Sequence, residues 1–385
     1  MTAPVLEARD LNRALLARQH LLARAPGGPG VVERVVERLA GLQAQNPSTS
    51  YTTLWSRIEG FTHDDLSQAL LDRRVVRVVA MRGTIHLLTA QDALELPELL
   101  RPFLVRDLRT NPTYAPALRD VDLDELAAAA RDVVEDEPLT PQRLGARLAE
   151  RWDTDPSALA TAARGTLALV QVTPRGVWGR SAATAWTTTR AWLGREPEPL
   201  AADGPAREAA LDRLVLRYLA AYGPASTADV QYWCGLTGLG RVVDRLRDGL
   251  DVSRGASTAT GRPGRELFDV PGSPRPATDA PAPVRFLADY DEVWIAHAER
   301  TRIIEEAYRS RVRSPNGVVP GRVLVDGFVR GTWAVRRGRA APAVLEVTPF
   351  EPLTAAQHAD VVAEGEAFAR FVADDADRHE VRITA

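Results

Sequence analysis

The chain has 385 residues, 45% of them hydrophobic and 26% charged, with a formal net charge of −3. That length exceeds one ordinary core and suits two to four units of roughly 80–150 residues each. Because no run of about 18 apolar residues occurs and the charged N-terminus lacks the apolar stretch of a secretory signal, a membrane span is not expected and the cytoplasm is the expected location. The single cysteine, Cys234, excludes an intramolecular disulfide and any cysteine-rich metal centre, and its apolar neighbours make it a small buried side chain. All 48 basic residues are arginine, so chemistry through a lysine Schiff base is excluded. The slightly acidic sum argues against a small, uniformly basic DNA binder, although a local arginine-lined face is compatible with it.

In chain order, Asp10 is placed as the N-cap of a helix over residues 10–24, with Leu11, Leu15 and Leu22 on one face. The proline- and glycine-rich run 25–30 breaks it. A second helix begins at Val31, where Val32, Val35, Val36 and Leu39 form an apolar stripe opposed by Glu33, Arg34, Glu37 and Arg38. It leads into Gly41-Leu42-Gln43-Ala44-Gln45, and the Asn46-Pro47 step is expected to end it. Two geometries are open for the glutamines. A persisting helix would point Gln43 inward on the apolar stripe, whereas an extended chain would project Gln43 and Gln45 to one side, where they could converge on a single water.

A weak repeat follows. Thr62, Thr140 and Ser226, roughly eighty residues apart, each stand as a hydroxyl N-cap four residues before an apolar position. Each precedes a pair of strand-like segments: 75–80 with 84–88, 167–173 with 178–183, and 250–253 with 265–270. Helices followed by a two-stranded wing describe the winged form of the helix-turn-helix. Residues 271–283 form a proline- and alanine-rich linker. Beyond it, Asp326-Gly327 between Val323–Val325 and Phe328–Val329 predicts a hairpin, residues 335–340 a second turn, and residues 354–374 a closing helix.

Several residues are candidates for a nucleic-acid face. Period-two alternation places Arg82, Thr84 and His86 on one side of a strand, with Ile85 and Leu87 on the other. Arg336, Arg337 and Arg339 crowd a turn beside Trp333, a combination suited to phosphate contact and stacking. Asp289, Asp291 and Glu292 form an acidic cluster, but without a glycine turn or clustered histidines no metal site is expected there. A phosphate-binding Gly-rich loop with lysine, a dinucleotide fingerprint, a nucleophile elbow and a His-Glu-x-x-His zinc motif are all absent from the sequence.

Leu42-Gln43-Ala44-Gln45-Asn46-Pro47, Leu54-Trp55-Ser56-Arg57 and the stretch Met81-Arg82-Gly83-Thr84-Ile85-His86-Leu87 together resemble the AlkZ-like winged-helix DNA glycosylases. The likeness continues in Gly223 to Asp229, Trp233 to Leu236, Asp289 to Glu292, Asn316-Gly317 and Val325 to Trp333, effectively over the whole chain. It implies an α+β fold of three tandem winged helix-turn-helix units in a C-shape around DNA, with a small C-terminal β domain. The units are placed at residues 1–117, 118–205 and 206–275, and the β domain at 276–385. Gln43 and Gln45 become the catalytic Gln-x-Gln, with Asn46, Arg82, Thr84, His86, Trp333, Arg336, Arg337 and Arg339 as DNA contacts.

The implied reaction is monofunctional release of cationic N7-alkylguanines, including the unhooking of interstrand crosslinks, in DNA repair or self-resistance to an alkylating toxin. The implied partner is double-stranded DNA carrying alkylated purines. A nucleoid-associated monomer with no cofactor, no metal and no obligate protein partner is expected. The alternative is a non-catalytic winged-helix regulator, against which stand three linked units in one chain and no evident dimerisation helix.

Overall fold

The computed structural model describes residues 3–256, 264–312, 319–337 and 342–384. The chain opens with the short strand β1 (Val5–Leu6) and helix α1 (Ala8–Arg18). This helix starts earlier than expected. Glu7 is its N-cap, and Asp10 is the other half of a capping box, its carboxylate taking the Glu7 N–H at 2.9 Å. It also stops earlier, because His20 turns to a φ of 55°. Helix α2 (Val31–Arg38) buries the predicted valine stripe and ends before Leu39. Ala40 (φ 52°) and Gly41 (φ 102°) then turn the chain into strand β2 (Leu42–Gln43). A Cβ on Gly41 would lie 2.4 Å from Leu88 Cδ2, so both backbone angle and space call for glycine.

Asn46-Pro47 begins a helix rather than ending one. Asn46 accepts the Ser48 N–H at 3.2 Å, and Pro47 takes the first position of α3 (Pro47–Trp55), where its missing N–H costs nothing. Helix α4 (His63–Leu71) follows, with Thr62 as cap, and leads to the antiparallel pair β3 (Val75–Val79) and β4 (Ile85–Thr89) and helix α5 (Asp92–Thr110).

The second succession is α6 (Leu123–Asp136), α7 (Pro141–Ala149) capped by Thr140, α8 (Pro156–Thr166), β5 (Leu169–Gln171), β6 (Trp186–Thr188) and α9 (Thr189–Leu193). Here the expected second strand, 178–183, is displaced to Trp186. Trp178 instead stacks on His63 at 3.9 Å between ring centroids and donates its Nε1–H to Asp374, so this segment is an anchor rather than a ladder.

The third succession is α10 (Pro205–Tyr222), α11 (Thr227–Cys234) capped by Ser226, α12 (Gly240–Leu246) and the pair β7 (Asp251–Gly255) and β8 (Glu266–Asp269). The C-terminal region comprises β9 (Arg285–Leu287), the short helix α13 (Glu292–Ile295), β10 (Gly321–Val325), β11 (Phe328–Arg336), β12 (Ala343–Pro349), α14 (Ala355–Val372) and β13 (His379–Ile383). Asp326 and Gly327, both at positive φ, make the predicted β10–β11 hairpin turn, and Thr354 caps α14. The second turn, predicted over residues 335–340, starts too early, since Val335 and Arg336 are the last residues of β11; residues 338–340 lie outside the described residues, as does Asn316-Gly317.

Three sheets result, ordered β2-β4-β3-β5-β6, β1-β7-β8 and β13-β12-β11-β10-β9. The strand pairs of the first and second successions, which stand where wings were expected, are joined through β3 and β5, whereas that of the third is closed by β1 running parallel to β7. β3 is buried on both sides. Val75 and Val79 enter the core of α2, α3 and α4, while Val76 and Val78 enter a larger core shared with α1, α10, α11 and the C-terminal region. No helix among the described residues is long and apolar enough to cross a membrane.

Candidate active site

β2 is the edge strand of the fused sheet, pairing Leu42 with Leu87 and Gln43 with His86. Leu42 and Ala44 enter the α2–α4 core, so the extended chain turns Gln43 and Gln45 to the opposite side. Of the two geometries compatible with the sequence, the extended one is realised. Gln43 is almost covered, at 7% exposure, yet its carboxamide makes no hydrogen bond to another described residue; Gln45 is exposed.

The backbone here is held from both sides. Ala44 donates its N–H to the Ile85 carbonyl at 2.8 Å, but its own carbonyl is drawn away by the Arg77 guanidinium, whose Nη2 donates at 2.6 Å. The Ile85 N–H therefore finds the Gln45 side chain, whose Oε1 accepts at 3.3 Å in place of a backbone carbonyl. From the free edge, Glu292 Oε1 accepts the Gln43 N–H at 2.6 Å. A buried N–H on the unpaired edge of the sheet is thus satisfied by a carboxylate lying 249 positions away in sequence.

Glu292 is the first residue of α13, and Asp291 is its N-cap. The two neighbouring acids have different environments. Asp291 is fully buried in a bidentate pair with Arg57, at 2.7 and 2.8 Å, and also caps Val293 N–H. Glu292 is equally buried, but its Oε2 has no partner among the described residues. Burial pushes its carboxyl up to about 7, opposed by the Arg82 guanidinium and the Gln43 N–H. Thr49, in the first turn of α3, donates to Asp289 Oδ1 at 2.7 Å, so the acidic loop is tied to the helix that follows the glutamines.

The structure gathers Gln43, Gln45, Asn46, Arg82, Thr84 and His86 around one corner of the first wing, with Asn46 exposed and Thr84 half-buried. Arg82, at a φ of 53°, extends to the Trp233 carbonyl of α11 and so links the first wing to the third succession. His86 needs correction as a DNA contact. It is fully buried because its face of β4 meets the larger core rather than solvent. Burial, with Arg82 adding to it, holds His86 down to about 3, so the ring is neutral. Its contact to the Thr84 carbonyl, at 3.0 Å, requires the proton on Nδ1, and Nε2 is left without a partner.

Trp333, Arg336 and Arg337 do not reach this corner. The Trp333 ring lies edge-on to Phe368 and over Gly321, with Nε1–H donated to the Leu287 carbonyl at 2.8 Å, so it is a packing residue rather than a free stacking surface. Arg336 pairs with Glu346 at 2.5 Å and Arg337 with Asp375 at 2.5 Å, both at the surface. Arg339 lies outside the described residues. The sequence reading missed Arg77 and did not anticipate Glu292 as a partner of Gln43. The usable signal was Asp291-Glu292 standing as cap and first residue of a short apolar helix.

Comparison with known proteins bears on the family and the fold. The family model described as DNA glycosylase AlkZ-like matches residues 36–371. A Streptomyces sahachiroi protein named interstrand DNA cross-link repair glycosylase is 25% identical over 328 residues, spanning 82% of this chain and 84% of that protein. The solved structure of Streptomyces sahachiroi DNA glycosylase AlkZ superposes with a TM-score of 0.77 at 22% identity, covering 100% of both chains, and establishes the shared α+β fold.

Proposed function

Because the chain belongs to the AlkZ-like DNA glycosylase family, we propose that it hydrolyses the N-glycosidic bond of cationic N7-alkylguanines in duplex DNA, using Gln43 and Gln45. The observation that carries this reading is the Gln43 carboxamide, without a hydrogen-bond partner among the described residues, on an edge strand whose backbone is held by Glu292 on one side and Arg77 on the other. Such a group is pre-oriented without being consumed by the fold.

An N7-alkylguanine already bears a positive charge. When the C1′–N9 bond breaks, its electron pair neutralises the departing base, so no general acid is required. Water then bonds to C1′ and its proton passes to solvent. The protein's tasks are to place that water and to stabilise the oxocarbenium-like sugar, which carboxamide oxygens can do, although they are too weakly basic to deprotonate water for an uncharged lesion. With no lysine in the chain, a lysine Schiff base with the abasic sugar is not available, which supports a reaction that leaves the strand intact. The relative named for interstrand crosslink repair makes crosslinked N7-alkylguanine the natural extension of this substrate class. Residues 1–117, 118–205 and 206–275 are the proposed winged units, with Asn46 and Thr84 nearest the reacting sugar and Arg82, Arg336, Arg337 and Arg339 as phosphate candidates.

The test is a duplex with one 7-methylguanine, incubated with the protein and then divided into alkali-treated and untreated halves. Cleavage only after alkali, and none in an undamaged duplex, is expected. Cleavage without alkali would contradict the monofunctional reaction. Binding to one palindromic site with no base release would favour the regulator instead.

A further inference from the structure

We propose that Glu292 is a positioning residue of the base-release reaction: as a carboxylate it fixes Gln43 through its backbone N–H and supplies the negative charge that a pair of neutral amides lacks. The inference rests on the reading of Gln43 as part of the reacting centre.

Three observations carry it. First, the contact is short and direct, 2.6 Å from Gln43 N to Glu292 Oε1, and it crosses from the C-terminal region to the edge strand of the first wing. Second, satisfying one N–H does not require a charge; a buried amide or hydroxyl would serve, and burying a carboxylate without a paired cation is costly. Third, Asp291 next to it shows what a purely structural acid looks like here, since both its oxygens are taken by Arg57, whereas Glu292 keeps one oxygen without a partner among the described residues. The groups facing Glu292 are Arg82 from the wing turn, Gln43 N–H from β2, Arg57 after α3, Asp291 beside it and Tyr222 from α10. Arg82 already donates to the Trp233 carbonyl, and Arg57 is committed to Asp291. The reaction moves positive charge from the cationic base onto the sugar, and a fixed anion held behind Gln43 in a buried corner favours the state with that charge on the sugar.

The carboxyl, raised to about 7, makes the charge titratable within the working range. Single-turnover release of 7-methylguanine from duplex is therefore measured from about pH 5 to 9 for the wild type, Glu292→Gln and Glu292→Asp. The wild-type rate should rise through one ionisation near neutrality and then level. Glu292→Gln retains an acceptor for the Gln43 N–H; its rate should fall by about 10–100-fold at the plateau, with the ionisation gone and duplex affinity within about twofold. Glu292→Asp keeps the charge but withdraws it, so it should lose rate while retaining the ionisation. A Glu292→Gln protein with wild-type rate and profile would overturn the proposal while leaving the glycosylase reading intact. Absence of base release by the wild type itself would overturn that reading.

Discussion

The first and third wings follow a similar plan, a capped helix and then an antiparallel pair, but they are buried differently. In the first, every residue of β3 and four of five in β4 are buried, because the sheet continues into β5 and each face meets a different core. In the third, only Ser253 of β7 is buried although three of the four residues of β8 are, and the sheet ends in the two-residue strand β1. The polar residues of the first wing are therefore committed inward: Arg77 to the Ala44 carbonyl, His86 to the Thr84 carbonyl. A wing covered on both faces is a poor reader of DNA and a good platform. Its free edge carries the Gln-x-Gln.

Each wing is also anchored by a buried ion pair, Arg57 to Asp291 near the first and Arg18 to Asp269 in the third. Arg57→Met should cost about 3–5 kcal/mol in urea or thermal unfolding, since it leaves the buried Asp291 carboxylate without its paired cation, and Arg18→Met should cost less, because Arg275 still pairs with Asp269 at 2.6 Å. The comparison predicts a difference in function. Arg57→Met should lose base release beyond its loss of folded protein, because Asp291 adjoins Glu292, whereas Arg18→Met should lose only in proportion to folding.

Acid should act on the first wing next. The folded value of His86 is lowered from 6.5 to about 3, so its contribution to stability is full above the unfolded value and is lost as pH falls through 6.5 toward 3. Between pH 7 and pH 5 the wild type should lose about 2 kcal/mol through this group, and His86→Phe should show a flatter dependence in denaturant melts.

Gly41→Ala, at a φ of 102° and against Leu88, should destabilise by about 1–2 kcal/mol. Gly255→Ala in the third wing, where a new Cβ meets nothing closer than 3.8 Å, should stay within about 0.5 kcal/mol. Equal costs would break the contrast between a packed and an open wing. A small effect on stability is also expected for Arg336→Ala with Arg337→Ala, whose surface pairs should contribute under about 1 kcal/mol. If those arginines exchange their carboxylates for phosphates, the salt dependence of duplex binding should fall by about one unit of slope per lost contact.

What could be read from the sequence was local. Thr62, Thr140 and Ser226 cap their helices and Asp326-Gly327 makes its turn, because each is decided within a few residues. β1 and β13 escaped notice because strands added at a sheet edge take their pairing from distant partners, and a two-residue strand has no period to detect. The glutamines were visible as a motif, but their extended geometry was not. It depends on the turn at Gly41, on Arg77 at a separation of 33 residues and on Glu292 at 249. His86 misled for a related reason: alternation of polar and apolar residues implies one wet face, and here both faces are dry.

The most direct test of a catalytic Gln-x-Gln on that edge is the single-turnover rate of 7-methylguanine release by Gln43→Ala/Gln45→Ala, measured beside its duplex affinity and melting temperature. The double variant should stay folded, melting somewhat lower because the Ile85 N–H loses its Gln45 acceptor, and should bind duplex within about twofold of the wild type, yet lose about 10²–10³-fold in rate. Wild-type release by a folded double variant would contradict the assignment and place the chemistry elsewhere on the protein.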